Sequence, residues 1–247
     1  MIKKPDALVI GANGGIGQEL VRQLSCSSDF TTVHGVSRSL PTQSVEGVEY
    51  AQIDYSDEQE VADYCKKLTQ QPQRFSLIVC CIGVLHGTTE NDVALKPEKR
   101  LEDLSVSKLS GYFFTNAVLP GIWLKYIEPL VSREFPVKVV FFSARVGSIT
   151  DNQLGGWYGY RASKAALNML IKTAQIEYQR RISNLALVCY HPGTVDTELS
   201  KPFQANVARG KLFTVQFTVN CLLGQLAQLH AQDGPHYVDW DGKSIPW

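Results

Sequence analysis

Charge of one sign is missing from this sequence: 24 lysines and arginines face 24 aspartates and glutamates, for a formal net charge of zero. No basic helix or polybasic run offsets that balance. The electrostatic footprint of a nucleic-acid binder is therefore absent, and no nucleic-acid partner is expected. Long hydrophobic runs are lacking as well. The longest strongly apolar stretch, Phe75 to Leu85, falls short of the roughly 20 residues that a bilayer-spanning helix needs, so no membrane partner is expected. The N-terminus, MIKKPDALVIGANGG, carries two lysines, but its short apolar stretch runs straight into a glycine loop. No signal peptide is read there, and a cytoplasmic protein is expected. The six cysteines include no CxxC pair, and no His/Cys cluster has metal-ligand spacing. Buried, reduced thiols and no metal are the expectation. Repeats, low-complexity segments and long linkers are also lacking, which leaves residues 1–247 as one domain.

What is present is an apolar fraction of 44% against 19% charged residues, the balance of a globular protein with ample core. Short β-rich runs alternate with helical patterns. Strands are expected at Ala7–Ile10, Thr32–Val36, Val48–Ile53, Leu77–Cys81, Val137–Phe142, Leu185–Tyr190 and His236–Trp240. Several are continuously apolar, as strands buried on both faces should be. Helices are expected within Gly15–Ser25, Ser56–Leu68, Lys108–Arg133, Tyr158–Arg181 and Thr214–Ala231. Pro120 and Pro129 should kink or break the stretch Lys108–Arg133. The alternation implies an α/β fold, a single doubly wound parallel sheet with right-handed crossovers and helices on both faces.

The first strand runs directly into Gly11-Ala-Asn-Gly-Gly-Ile-Gly17, and a helix follows. Glycines at 11, 15 and 17, with Asn13, Gly14 and Ile16 among them, allow a tight turn. Backbone N–H groups can then approach a pyrophosphate at the helix N-terminus, as in a dinucleotide-binding Rossmann fold. The end of the second strand, Val36-Ser37-Arg38-Ser39, lacks the acid that would hold an NAD ribose hydroxyl. Ser37 and Arg38 suit a 2′-phosphate, which favours NADP(H) over NAD(H); otherwise Arg38 is a solvated loop residue. Asp54, followed by Tyr55, either accepts from an adenine amino group or caps the helix beginning near Ser56.

Tyr160-Arg-Ala-Ser-Lys164 opens the helix over 158–181. Tyrosine and lysine at i and i+4 share one helical face. An ammonium beside a phenol favours the phenolate and should bring the tyrosine pKa down from about 10 toward neutrality, where it can exchange protons with a substrate.

With a glycine loop, this YxxxK pair and the segment Pro192-Gly193-Thr194-Val195-Asp196-Thr197 in that order, the chain resembles the short-chain dehydrogenase/reductase family over essentially its whole length. Tyr160-Arg-Ala-Ser-Lys-Ala-Ala-Leu-Asn168, preceded by Gly147-Ser148-Ile149, is most similar to the C-factor/sniffer-like carbonyl reductase branch. The resemblance implies an oxidoreductase that moves a hydride between a nicotinamide and a small carbonyl or alcohol. Tyr160 would be its general acid/base, with Lys164 on the nicotinamide ribose. Cys81, Ile82 and Gly83 would floor the cofactor, and Pro192, Gly193, Thr194, Val195 and Thr197 would wrap the nicotinamide. Asn116 matches the asparagine of a water-mediated proton relay to the lysine; its other reading is a polar residue that merely breaks a helix. A substrate lid is implied around 197–213, with Pro202 and Phe203 on its apolar face. A homodimer or homotetramer through Lys108–Arg133 and Tyr158–Arg181 is implied as well.

Three positions depart from the family pattern. Ile10 replaces the usual threonine before the first glycine, and Cys80-Cys81-Ile82-Gly83 replaces Asn-Asn-Ala-Gly. The strand that should end in Ser-Ser reads Ser143-Ala144, and alanine donates no hydrogen bond. Ser143 is the expected substitute, with Ser148 or a water as alternatives. These departures motivate a second reading, a regulatory or signalling NADP-binding protein of the same fold with little turnover.

Overall fold

The computed structural model describes residues 4–72, 74–89 and 92–247. In chain order the strands and helices are β1 (Asp6–Ile10), α1 (Gly15–Ser25), β2 (Val33–Ser37), β3 (Val48–Gln52), α2 (Glu58–Thr69), β4 (Phe75–Cys80), β5 (Gly87–Thr88) and β6 (Ala94–Leu95). They continue with α3 (Val106–Phe113), α4 (Leu119–Tyr126), β7 (Val137–Phe142), α5 (Tyr158–Arg181), β8 (Leu185–His191), β9 (Thr194–Val195), β10 (Leu212–Phe213), α6 (Val215–Gln225) and β11 (His236–Asp239). Seven strands form one sheet in the order β11-β8-β7-β4-β1-β2-β3. Every pairing within it is parallel.

Alternation along each strand feeds two separate cores. Leu8 and Ile10 of β1 face one cluster, together with Val61 and Leu68 of α2, Trp123 of α4, and Leu167 and Ile171 of α5. Ala7 and Val9 face the other, with Leu20, Val21 and Leu24 of α1 and Val219 and Leu222 of α6. A strand buried on both faces is apolar at nearly every position, which is why Ala7–Ile10, Val139–Phe142 and Leu185–Tyr190 read as continuous runs; Lys138 is the buried exception in β7.

All seven expected strands and all five helical stretches are present, two helices with the expected bounds. The stretch 108–133 is broken at both prolines: Pro120 leaves the Asn116 carbonyl without its i−4 donor inside an irregular turn, and α4 ends before Pro129. Five residues, Phe114–Val118, form a π-helical turn that runs straight into α4, with Pro120 in the first turn of α4. The short pairs β5–β6 and β9–β10 were not expected. The thiols divide: Cys65, Cys80 and Cys189 are buried, Cys81 and Cys221 half-buried, and Cys26 exposed, so burial does not extend to all six. Among the described residues no helix is long and apolar enough to cross a membrane.

Candidate active site

Strand order reverses between β1 and β4, and the crevice beyond their C-terminal ends is where open α/β sheets take a dinucleotide. Gly11 leaves β1 with φ +85°, and its amide and that of Ala12 both donate to Val36 O. Gly14 is the N-cap of α1 and offers no side chain to the first turn, which leaves N–H groups for an anion. A Cβ on Gly17 would lie 2.1 Å from Gly11 O, and one on Gly15 would meet Thr197 Cγ2 at 3.0 Å. The loop therefore closes on α1 only with glycine, and Thr197 rests on it from across the cleft.

Around this loop the expected cofactor residues take several parts. Asn13 Nδ2 donates to Ser39 Oγ at 3.0 Å, tying the loop to the end of β2. Ser37 Oγ donates to Ser39 O at 2.6 Å, so its proton is engaged within the turn. Tyr55 Oη donates to Val36 O at 2.8 Å and accepts from the Gly11 amide at 3.1 Å. This tyrosine braces the turn from inside, with its ring edge-on to Trp123. Asp54 Oδ1 accepts from the Ser56 amide and hydroxyl, and those bonds, helped by Arg38, hold its carboxyl below the usual range. The N-cap of α2 is Asp57, not Asp54. Arg38, Gln52, Asp54 and Glu60 line a small cavity of their own.

The main cleft, about 980 Å³, runs from Gly14, Gly15, Ile16 and Gly17 past Cys81, Ile82 and Gly83 to Tyr160, Lys164 and Pro192–Thr197. The amide of Cys81 donates to Ile10 O, which continues the β1–β4 ladder into its floor. A Cβ on Gly83 would lie 3.2 Å from Lys164 Nζ and 3.4 Å from Asn116 Oδ1, so glycine keeps the approach to both open. Gly193 has φ +76°, and a Cβ there would strike the Phe213 ring at 2.5 Å.

Tyr160 and Lys164 line this cleft, and Asn116 lies buried beside Gly83. Lys164 Nζ donates to Phe142 O at 2.8 Å and lies 6.0 Å from the Tyr160 ring centroid. Burial lowers its pKa to about 8. Burial also pushes the Tyr160 phenol above its ordinary value, opposite to the lowering that the Tyr/Lys spacing suggests. The reason is burial: Lys164 gives one of its three donors to the Phe142 carbonyl, and the desolvation of the phenolate outweighs the lysine's charge. Asn116 sits in the π turn and is fully buried. Its Oδ1 accepts from the Val84 amide, and its Nδ2 donates to Val84 O and Ser163 Oγ. It thus pins the segment after β4 against α5, and helix breaking alone does not describe it.

Ser143 Oγ donates to Asn168 Oδ1 at 2.6 Å, and Ser148 Oγ accepts from the Asp151 amide at 3.0 Å. Ala144 packs in one cluster with Leu85, Tyr112 and Tyr160. Beyond them the segment after Thr197 folds as a short helix over Lys201–Asn206. It sets Phe203 5.2 Å from Trp157 and 5.8 Å from His86 between ring centroids. A His86 ring nitrogen meets Glu198 O at 2.9 Å. His191 also lines the cleft, and burial drops its pKa to about 4, which keeps it neutral.

One residue escaped the sequence. Glu98, 1% exposed, accepts the Gly159 amide on Oε2 at 3.0 Å and the Trp157 amide on its backbone oxygen. It caps the helix that carries Tyr160, where Trp157, in the left-handed region at φ +54°, offers no side-chain cap. No local pattern marks a cap supplied from so far along the chain.

A crevice at the switch point of a parallel sheet, with a glycine cradle on one wall and a Tyr/Lys pair on the other, is that of a Rossmann-type oxidoreductase. The family model described as short chain dehydrogenase matches residues 6–208, and the chain belongs to that family of oxidoreductases. The C-signal protein of Myxococcus xanthus is 27% identical over 143 residues, 58% of this chain and 75% of its own. The carbonyl reductase Sniffer of D. melanogaster superposes with a TM-score of 0.82 at 19% identity, covering 99% of this chain and all (100%) of its own. An NADPH-bound carbonyl reductase from chicken fatty liver superposes with a TM-score of 0.81 at 21% identity, over 100% of both chains.

Proposed function

We propose that this chain is an NADP(H)-dependent carbonyl reductase or alcohol dehydrogenase for a small uncharged substrate. Tyr160 is its general acid/base, Lys164 binds the nicotinamide ribose, and Asn116 supports the relay behind the lysine. The observation that carries the reading is that Tyr160 and Lys164 line one cleft with the glycine loop, with Lys164 Nζ and the buried Asn116 Oδ1 both beside Gly83. The glycine cradle at 11, 15 and 17 fits a dinucleotide, because added Cβ atoms at 15 and 17 would crowd the loop. When bound, the nicotinamide supplies or accepts the hydride. The chain's own work is orientation and protons. Pro192, Gly193, Thr194, Val195 and Thr197 shape the nicotinamide end, and Gly11, Asn13, Gly14, Ile16 and Gly17 hold the pyrophosphate end. Cys81, Ile82 and Gly83 form the floor. A phenol kept protonated by burial is a ready proton donor, which suits the direction of carbonyl reduction. The segment around 197–213 acts as a lid, with Phe203 against Trp157 excluding water.

Ser37, Arg38 and the Asp54–Tyr55 turn face the adenosine end, and Arg38 gives the preference for a 2′-phosphate. Titration with NADPH and NADH, followed by nicotinamide fluorescence, tests this directly. NADPH should bind more tightly than NADH, and Arg38→Ala should weaken NADPH about 10-fold or more while barely changing NADH. Equal affinities in the parent would overturn the preference. The methyl of Ala144 beside Tyr160 favours the second reading, a dinucleotide-binding regulator with little turnover, and a carbonyl panel with NADPH separates the two.

Phe113, Phe114 and Val118 before α4, and Met169, Leu170 and Ile176 on α5, are exposed apolar side chains. They support a homodimer or homotetramer through these helices. Light scattering should give at least twice the 27.4 kDa chain mass; monomer alone at micromolar concentration would refute it.

A further inference from the structure

The segment over the cleft is tied down at its two ends. Thr194–Val195 (β9) pairs with Leu212–Phe213 (β10), and the Asp196 amide donates to Phe213 O at 2.8 Å. Lys211 lies over the Trp240 ring beside the same root. Between the ends the side chains bond inward. Ser200 Oγ donates to Val195 O, Gln204 Nε2 donates to Asp196 Oδ1, and Lys201 pairs with Glu198. Among the described residues, one hydrogen bond joins residues 197–211 to the protein outside 194–213: His86 Nε2 lies 2.9 Å from Glu198 O. A carbonyl oxygen only accepts, so the ring nitrogen carries the proton and donates. The wall behind His86 is fixed. Asn116 engages the amide and the carbonyl of Val84, and Tyr112 Oη donates to Leu85 O at 2.8 Å.

His86 follows directly, and its ring stands edge-on to Phe203 at 5.8 Å. Phe203 in turn packs on the buried cluster that holds Tyr160. Val84 and Leu85 on the wall, and Glu198 and Phe203 on the lid, line the cleft. His86 joins the two rims without lining that space. We propose that His86 is a positioning residue: its Nε2–H bond to Glu198 O latches residues 197–211 shut over the cleft. What the latch encloses rests on the oxidoreductase reading above. Opening must break this bond and lift Phe203 off the Tyr160 cluster. The net worth of one such bond moves the balance of open and closed forms about 2- to 12-fold. Pro192–Val195 and Thr197 at the lid's root are assigned to the nicotinamide end, so a looser lid releases the dinucleotide faster. The hydride and proton steps do not involve the imidazole and keep their rates.

Arg209 and Lys211, both exposed, give trypsin two cleavage points in the lid. Cleavage there follows the population of the open form. His86→Phe keeps a ring against Phe203 and removes the donor, whereas His86→Gln keeps an N–H donor at similar reach and removes the ring. In the ligand-free protein, cleavage after Arg209 or Lys211 should run about 3-fold or more faster in His86→Phe than in the parent. His86→Gln should stay within about 2-fold of the parent. Stopped-flow release of NADPH should follow the same order, about 3-fold or more faster in His86→Phe and restored in His86→Gln. Single-turnover reduction from preloaded NADPH should hold within about 2-fold in both variants. The melting temperature should hold within about 3 °C, because a solvent-exposed bond on a lid adds little to the core. Equal cleavage of the parent and His86→Phe would overturn the latch, as would a His86→Gln variant as open as His86→Phe. A fall in single-turnover rate with unchanged release would place His86 in the chemistry and overturn it as well. A parent that binds no NADPH would overturn the oxidoreductase reading alone, since the cleavage assay needs no ligand.

Discussion

Tyr160→Phe is expected to bind NADPH as the parent does and to lose about 10²–10⁴ of its carbonyl reductase rate. Among the described residues no group takes up the Tyr160 hydroxyl, while its ring lies edge-on to Tyr112 and Trp157 at 6.3 and 6.2 Å. Phenylalanine keeps those ring contacts and removes only the proton. The melting temperature should therefore hold within about 2 °C, because no paired hydrogen bond is lost. The loss should fall on kcat, since the phenol matters most where the oxygen acquires charge. Single-turnover reduction with the variant preloaded with NADPH is the decisive measurement. Turnover within threefold of the parent would remove Tyr160 from the chemistry. A fall in NADPH affinity to match the fall in rate would make its role one of binding.

The contrast between legible and hidden parts of the site follows from range. The glycine loop, the Tyr160/Lys164 pair and the seven strands are local patterns, because buried parallel strands and an amphipathic i,i+4 spacing are written in consecutive residues. Which side of the sheet each residue faces came only from the structure, with Leu8 and Ile10 opposed to Ala7 and Val9. What stayed hidden depends on distant partners. Asn116, in the π turn at 114–118, spends its amide on Val84 and Ser163, and no propensity scale contains those bonds. Glu98 reads as one more surface glutamate until the fold carries it under the N-terminus of α5. The Tyr160 shift failed for a similar reason. Spacing brings Lys164 to the right face, but burial, which no local pattern records, dominates both groups.

Gly17→Ala carries the largest expected structural effect, and its cause can be read atom by atom. The added methyl would lie 2.1 Å from Gly11 O, 2.9 Å from Gly11 C and 3.0 Å from Ala12 Cα. All three are backbone, so no rotamer relieves the contact, and α1 must retreat from the turn by about 1 Å or more. That turn is held from the other side by the Gly11 and Ala12 amides on Val36 O and by Tyr55 Oη on the Gly11 amide, so the strain stays where the pyrophosphate is proposed to sit. Overpacking of this kind costs about 1–3 kcal/mol, which for a chain of this size is a fall in melting temperature of about 2–12 °C. Binding should suffer more than stability, because backbone donors must meet the pyrophosphate within a few tenths of an ångström to be useful. NADPH affinity should drop about 100-fold or more, while the far-ultraviolet circular dichroism stays that of the parent. Exposed Gly224 on α6, where a Cβ meets nothing within 4 Å, supplies the control, since alanine there should leave both quantities alone or raise stability slightly. If Gly17→Ala bound NADPH as tightly as the parent, the dinucleotide would not lie against this loop, and the adenosine end proposed at Ser37 and Arg38 would fall with it.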